Sequence, residues 1–504
     1  MAVNQLKAGA FLNYIILGLD ALVGILYTPF LLRMLGQSEY GLYSLAASII
    51  AYLSMLDLGF GDAVIRYTAK FRAEGKTDEQ YEMFGLFIIL YSIIGVLTVI
   101  VGFVLYFNID SIFGASLTPI ELERSKVLFL LMVSNLAITF PLSIYGAIIT
   151  AYENFIFLRV IQILRIVLST VTMIVLLTMG YKAIAMVVVN TIFNIAALLA
   201  NVFFCKKKIW IKLKFSKPNI PFLKEISIYS FWILLNAIMD KIYWSTGQFI
   251  LGAVSGTIAV AVYSVAIQLK IMYYSFSTSI SGVFLPRVTS MVTKGASREE
   301  ISNIFIRIGR IQFMVVAFIF CGFVLLGKPF VSLWAGEGYD DVYVICLLFF
   351  GTTLIPLIQN LGITILQARN EMKYRSLLIL FCSVVSLLVA IPIAKQFGGI
   401  GVAVVTATAI MVGHGVLLNI YYRRKQSIDI ARFWNEIAGM AVVPIVITSV
   451  FYVVLSNFSI TTFAGIAIAA VAFSLVYLSL FYRLSMNDSE RELITSALAK
   501  LKRH

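Results

Sequence analysis

Lone charges sit inside long apolar stretches of this chain: Asp20, Asp57, the Asp240-Lys241 pair and Lys270. Ionisable side chains at membrane depth are costly, and they mark substrate pathways, ion paths or internal ion pairs. Positions three, four and seven apart share a helix face, and at that spacing the charges fall into polar stripes. Asn13, Asp20 and Gly24 align, as do Ser54, Asp57 and Gly61. Asn236, Asp240, Tyr243 and Gly247 form a third stripe, with Lys241 about a quarter-turn away, and Tyr263, Lys270, Tyr274 and Ser277 form a fourth. Lys270 lies about twelve residues from either end of its apolar run, roughly 18 Å at the helical rise, which is beyond easy snorkelling. Carboxylates in such stripes can bind a proton or a cation, and lysines can hold an anion. The competing reading is that Asp20 or Asp57 pairs with Lys241 or Lys270 and merely fixes helix packing.

A second set of charges lies nearer the helix ends. Arg66 and Arg287 occupy matching positions, and Arg159, Gln162 and Arg165 line one face of a later run. They read either as anchors facing anionic headgroups or as a basic rim around a cytoplasmic entrance. Two histidines, His414 and His504, cannot assemble a catalytic or metal cluster. Four cysteines, Cys205, Cys321, Cys346 and Cys382, fall in four different runs without paired spacing, so neither a disulfide framework nor a zinc site is expected.

The elements that position these groups are membrane helices. With 61% hydrophobic residues and a mean hydropathy of +0.95, the chain is far more apolar than the roughly 45–50% of a soluble domain. Fourteen apolar runs, near 10–35, 40–62, 82–107, 122–149, 157–180, 183–205, 222–253, 258–283, 303–327, 338–366, 374–397, 400–422, 436–456 and 461–484, reach or approach the span of a hydrocarbon core. The expected fold is therefore an all-α membrane protein with 14 transmembrane helices, the first reading as a retained helix and not a cleaved signal. With the N-terminus in the cytoplasm, 28 of the 39 Lys and Arg residues fall in cytoplasmic segments, 6 on the opposite side and 5 within helices. That is a positive-inside pattern, so the net charge of +14 reflects topology and not nucleic-acid binding. Both termini are placed in the cytoplasm.

The two halves resemble each other. Ile65-Arg66-Tyr67-Thr68-Ala69 followed by Gly75 matches Pro286-Arg287-Val288-Thr289-Ser290 followed by Gly295, and Pro141, Gly146, Ala151 and Gly180 match Pro356, Gly362, Ala368 and Gly398. These offsets predict two six-helix bundles, residues 1–208 and 209–435, related by a pseudo-two-fold axis along the membrane normal. Two additional helices over 436–484 and a cytoplasmic tail over 485–504 complete the chain. No loop is long enough to form a soluble catalytic domain, so a membrane glycosyltransferase or polymerase is disfavoured and no enzyme activity is expected.

The segment Pro29-Phe30-Leu31-Leu32-Arg33-Met34-Leu35-Gly36-Gln37-Ser38-Glu39-Tyr40-Gly41-Leu42-Tyr43-Ser44, followed by Leu56-Asp57-Leu58-Gly59-Phe60, resembles the opening of the bacterial polysaccharide-biosynthesis flippases. These are Wzx-type transporters of lipid-linked oligosaccharides within the multidrug/oligosaccharidyl-lipid/polysaccharide exporter superfamily. The resemblance implies two six-helix bundles around a basic lumen in the bacterial cytoplasmic (inner) membrane. Its cargo would be an undecaprenyl-pyrophosphate-linked unit for capsule, O-antigen or exopolysaccharide assembly, moved from the cytoplasmic to the outer leaflet. The last two helices resemble the pair that forms a lipid-facing groove in the related peptidoglycan-precursor flippase.

For such a cargo, Lys270 and Lys241 would supply fixed cations in a low-dielectric cavity. Tyr263, Tyr273 and Tyr274 would offer hydroxyls and flat faces to sugar rings, and Asp20, Asp57, Asp240, Asn13 and Asn236 would complete the lumen. Arg66, Arg287, Arg159 and Arg165 would line the cytoplasmic entrance. Mid-membrane arginine is scarcer here than in the family. No cofactor is expected beyond a coupling proton or sodium ion, and the expected partners are the lipid-linked oligosaccharide, membrane lipids and polysaccharide polymerase machinery, with the protein itself a monomer. The rival reading is a cation-coupled multidrug antiporter of the same superfamily, with Asp20 as its ion site.

Overall fold

The computed structural model describes residues 5–215, 220–369, 371–492 and Thr495. Among the described residues the chain is helical throughout, without strands. Among the described residues, eleven helical stretches are long and apolar enough to cross a membrane. The chain divides into two compact units, Met1–Ser264 and Val265–His504.

The first unit contains α1 (Gln5–Leu22), α2 (Thr28–Leu53), α3 (Phe60–Ala73), α4 (Thr77–Phe113), α5 (Pro119–Ala151), α6 (Phe155–Thr178), α7 (Ala183–Phe204) and α8 (Ile220–Val254). Its hub is α5, which packs against α2, α3, α4, α6 and α7. That helix starts where Thr118 and Glu121 form a reciprocal capping box and Pro119 supplies a preset first turn. Pro141 lies inside α5 without ending it. A proline there leaves the carbonyl of Ala137, four residues back, without its helical donor, and Gly95 of α4 lies against that carbonyl. A Cβ on Gly95 would sit 2.8 Å from the Ala137 oxygen, so the close approach of α4 to α5 requires glycine.

Two long apolar stretches are divided by glycines with non-helical backbone. Gly36, at φ 75°, turns the chain within α2, so that the helix begun at α1 ends near residue 35 and a second one starts at residue 37. Gly398, at φ 54°, does the same within α13 (Met372–Ile410) of the second unit. The end of α2 shows a third interruption. Ser54–Asp57 tightens to a 3-10 turn, and Leu58 and Gly59 adopt left-handed backbone at φ 56° and 67° before α3 begins. An apolar run read from sequence as one span, 40–62, is therefore broken at Asp57.

One helix, α9 (Gly256–Thr293), begins in the first unit and continues into the second. The second unit then contains α10 (Arg298–Ala335), α11 (Asp340–Ile358), α12 (Leu361–Ala368), α13, α14 (Leu418–Arg424), α15 (Ile430–Leu455) and α16 (Phe463–Leu484). Its hub is α10, opened by a second capping box between Ser297 and Glu300, and flanked by α11, α12, α15 and α16. The last two helices thus close onto α10. Phe318, Phe473 and Tyr477 form the aromatic contact that seats α16, with Phe318 and Phe473 stacked at 5.9 Å. Aliphatic side chains such as Val442, Ile445, Val446, Val450 and Val453 on α15 are exposed, as expected of a surface that faces acyl chains.

Candidate functional site

In the first unit α1 and α6 run side by side in the same direction. Near their starts the Gln5 Oε1 accepts a hydrogen bond from the Ile156 amide at 3.2 Å, and a Cβ on Gly9 would meet that of Phe155 at 2.5 Å. Further along, the carboxylate of Asp20 comes within electrostatic reach of the Arg165 guanidinium. Both side chains are exposed. The pair does not close into an ion pair. The Arg165 guanidinium donates instead to Asn194 Oδ1 of α7 at 3.0 Å, and Asn194 Nδ2 donates to Asn135 Oδ1 at 3.0 Å and Thr139 Oγ1 at 2.8 Å, both on α5. Four helices thereby bring polar groups together near their midpoints.

Arg159 lies two turns before Arg165 on α6 and donates to Gln162 at 3.1 Å. Arg159, Gln162, Arg165, Ser169 and Thr172 fall on one stripe of that helix. Asn13 is half-buried on α1. Asp57, at the break after α2, is half-buried and faces the Tyr91 hydroxyl of α4, which also lies by Ser143 of α5. Tyr91 in turn stacks on Phe140 at 6.3 Å. Arg66, on α3, is exposed and lies 5.7 Å from the ring of Tyr67.

On α8, Lys241 is half-buried. The side chains of Asn236 and Asp240 on the same helix, and of Arg287 on α9, lie outside those described. Tyr263 of α9 is buried at 1% exposure with its ring against Gly247 of α8, a seat that only a missing side chain permits, since a Cβ there would lie 2.6 Å from the ring. One face further along α9, Lys270 is 4% exposed and its Nζ lies 5.7 Å from the half-buried Tyr274 ring. Lys270 is thus turned inward, away from acyl chains. Tyr273 departs from expectation. Its ring is buried and stacked on Phe350 at 4.3 Å, and its hydroxyl donates to the Val316 carbonyl at 3.3 Å, so it is a packing residue and offers nothing to a sugar.

The second unit holds a charged cluster that sequence reading left among the unassigned intrahelical cations. Arg310 of α10, 7% exposed, donates through Nε to Glu490 Oε1 at 2.6 Å and through Nη2 to Glu490 Oε2 at 2.9 Å. Its Nη1 reaches Glu436 Oε2 of α15 at 2.7 Å, and Nη2 also meets the Ser485 carbonyl at 3.2 Å. Arg310 and Glu436 line an open pocket of about 370 Å³ together with Arg432, Asn435, Gly439 and Leu484. Asn135, Thr139 and Asn194 were also passed over. The available signal was an amide or hydroxyl at the centre of an apolar run, which needs a buried hydrogen-bond partner.

Many helices of spanning length, with polar and charged groups held at mid-depth, make this a multi-pass membrane protein. A family model for polysaccharide biosynthesis proteins matches residues 6–292, and the chain belongs to that family. It is similar to the uncharacterized membrane protein EpsK of Bacillus subtilis, at 20% identity over 494 residues covering 96% of each chain. It is also similar to the capsular polysaccharide biosynthesis protein CapF of Staphylococcus aureus, at 25% identity over 247 residues, 48% of this chain and 59% of that one. Among solved structures, the lipid II flippase MurJ in its inward closed conformation superposes with a TM-score of 0.70 at 17% identity, over 96% of this chain and 99% of that one. The fold is shared with that structure, and the chain is a multi-pass membrane protein of the polysaccharide biosynthesis family.

Proposed function

We propose that this protein carries an undecaprenyl-pyrophosphate-linked oligosaccharide from the cytoplasmic to the outer leaflet of the bacterial inner membrane, for assembly of a cell-surface glycan. The observation that carries the reading is cationic side chains, Arg165, Lys241 and Lys270, held within helices of a chain that belongs to the polysaccharide biosynthesis family. A diphosphate head group needs such fixed cations once it leaves water, because charge pairing strengthens as the dielectric falls. The polyprenyl tail stays in lipid while the head group passes between two bundles that rock by alternating access. Fourteen spans fit this scheme. The turns at Gly36 and Gly398 each make two spans of one long helical stretch, and α8 adds one more to the eleven. Residues 1–208 and 209–435 would be the two six-helix repeats, with α15 and α16 added.

A membrane potential positive outside drives an anion outward, with about 2.3 kcal/mol available per charge per 100 mV. A coupling proton or sodium ion would bind at Asp20, Asp57 or Asp240. A cation-exporting antiporter fits less well, since Arg165 beside Asp20 repels a cationic drug. The test is reconstitution in liposomes with defined lipid-linked saccharides, scored by access of an outside reagent to the sugar. Protein-dependent exposure of the sugar supports the reading. No exposure, together with resistance of expressing cells to cationic dyes, would replace it with the antiporter.

A further inference from the structure

We propose that the pocket between the start of α15 and the end of α16 holds one phospholipid with a zwitterionic phosphoethanolamine headgroup. Its phosphate sits on Arg432 and Asn435, its ammonium on Glu436, and its acyl chains on the aliphatic faces of the two helices. The ligand is a lipid of the surrounding membrane and not the cargo, so the inference goes beyond the proposed transport.

Position comes first. The exposed run Arg423, Arg424 and Lys425 precedes α15, and exposed Arg483, Asn487 and Asp488 mark the end of α16, so polar side chains define the water-side end of both helices. The pocket of about 370 Å³ lies at that end, lined by Arg432, Asn435, Glu436, Gly439 and Leu484 together with the buried Arg310. Deeper along the same helix faces the side chains become aliphatic. Val442, Val446, Val450 and Val453 continue the line of Asn435 and Gly439, and Leu480 and Val476 continue that of Leu484; all six are exposed. Basic pockets between spanning helices receive lipid headgroups, and a polar recess that opens onto two aliphatic stripes matches a headgroup with its chains attached.

Charge then selects the headgroup. Arg432 is exposed and gives Nη1 to Asn303 Oδ1 at 2.8 Å, a bond that aims the guanidinium while leaving further N–H donors for a phosphate. Glu436 lies one turn along the same helix, with its side chain 41% exposed. Arg310 engages its Oε2 at 2.7 Å, and among the described residues its Oε1 has no hydrogen-bond partner. Because the buried Glu490 already takes two bonds from Arg310, Glu436 presents negative charge to the pocket. A purely anionic headgroup would meet that carboxylate. A headgroup with a phosphate and a primary ammonium satisfies both side chains, whereas a choline ammonium has no N–H to donate.

Room for the chains is set at Gly439, where the polar and aliphatic parts of the α15 stripe meet. A Cβ there would touch nothing within 4 Å. Glycine is therefore not required by packing at this point, and it weakens the helix relative to any larger ordinary residue. A bulky side chain at 439 would enter the pocket without displacing protein atoms, which separates loss of the lipid from loss of the fold.

The experiment is native mass spectrometry of the full-length protein in detergent with an equal mixture of phosphatidylethanolamine, phosphatidylcholine and phosphatidylglycerol of matched chains. The wild-type protein should retain the ethanolamine lipid about tenfold better than either of the others, the worth of one charge-assisted hydrogen bond. Gly439→Phe should lose that lipid with a thermal midpoint no lower than wild type, and Arg432→Gln should weaken its retention. Glu436→Gln should invert the order, placing phosphatidylglycerol first, a change that a merely structural role for Glu436 does not produce. If Glu436→Gln fails to fold, Gly439→Phe still decides the matter. A wild-type protein that shows no headgroup order or prefers phosphatidylglycerol would overturn the proposal. So would a folded Gly439→Phe that keeps the ethanolamine lipid, or a folded Glu436→Gln that still prefers it.

Discussion

Arg310 in the second unit and Arg165 in the first are both intrahelical arginines with a carboxylate nearby, and they are held in opposite ways. Arg310 is buried, bidentate to Glu490, bonded again to Glu436, and roofed by the Ser485 carbonyl. Arg165 is exposed, bonded once to a neutral amide, and faces Asp20 without touching it. A closed cluster saturates its donors and fastens the end of α16 and the start of α15 to α10. An open pair leaves donors for something else. Depth does not distinguish the two arginines, whereas the saturation of their hydrogen bonds does.

The largest expected effect tests the closed side. Arg310→Ala would leave the buried Glu490 carboxylate without its counter-charge and should cost about 3–5 kcal/mol, seen as a lower thermal midpoint in detergent. Replacing Arg310, Glu436 and Glu490 together by Met, Gln and Met should recover most of that loss, because a removed ion cluster is cheaper than a broken one. Glu490→Gln keeps the shape and one acceptor, so its cost should be smaller, about 1–3 kcal/mol by the same melting measurement.

The open side should behave differently. Arg165→Ala should lower the rate of sugar-lipid transport at least tenfold, with the thermal midpoint unchanged from wild type. Should that substitution destabilise the protein as much as Arg310→Ala does, the contrast between the two arginines disappears. At the helix break, Gly59→Ala should cost about 1–2 kcal/mol through its left-handed backbone, read as a modest drop in thermal midpoint. The smallest effect is expected at the exposed pair between Lys214 Nζ and Asp78 Oδ1, 2.6 Å apart. There the carboxylate holds the Lys214 ammonium above its ordinary pKa, yet water and salt screen the attraction. Asp78→Asn should leave the melting curve at physiological salt where it was.

The breadth of what could be read in advance differs by level. Span positions follow from hydropathy because the bilayer imposes one length on every crossing helix, so the apolar runs coincide closely with the helices. The break at Asp57 was less visible, since Leu56-Asp57-Leu58-Gly59 reads as a continuing apolar run and only the left-handed backbone at Leu58 and Gly59 ends it. Helical spacing placed Asp20, Lys270 and Arg165 on polar faces. It left Arg165 open between an interfacial anchor and a basic rim at a cytoplasmic entrance, and in the fold Arg165 lies near the middle of α6 within electrostatic reach of Asp20. Tyr273 shared a helix with Lys270 and Tyr274 but points one residue away, into Phe350.

What the amino-acid order alone determined was the class of molecule: how much of the chain is apolar enough to lie in lipid, and which faces of which helices are polar. Those features are local, set by composition over about twenty residues and by the 3.6-residue turn. Which charges meet was decided only when the helices packed. Arg310 and Glu490 are 180 residues apart, and Arg165 donates to Asn194 on a neighbouring helix. Periodicity fixes the direction in which a side chain leaves its own helix, and only packing of the helices supplies what stands opposite.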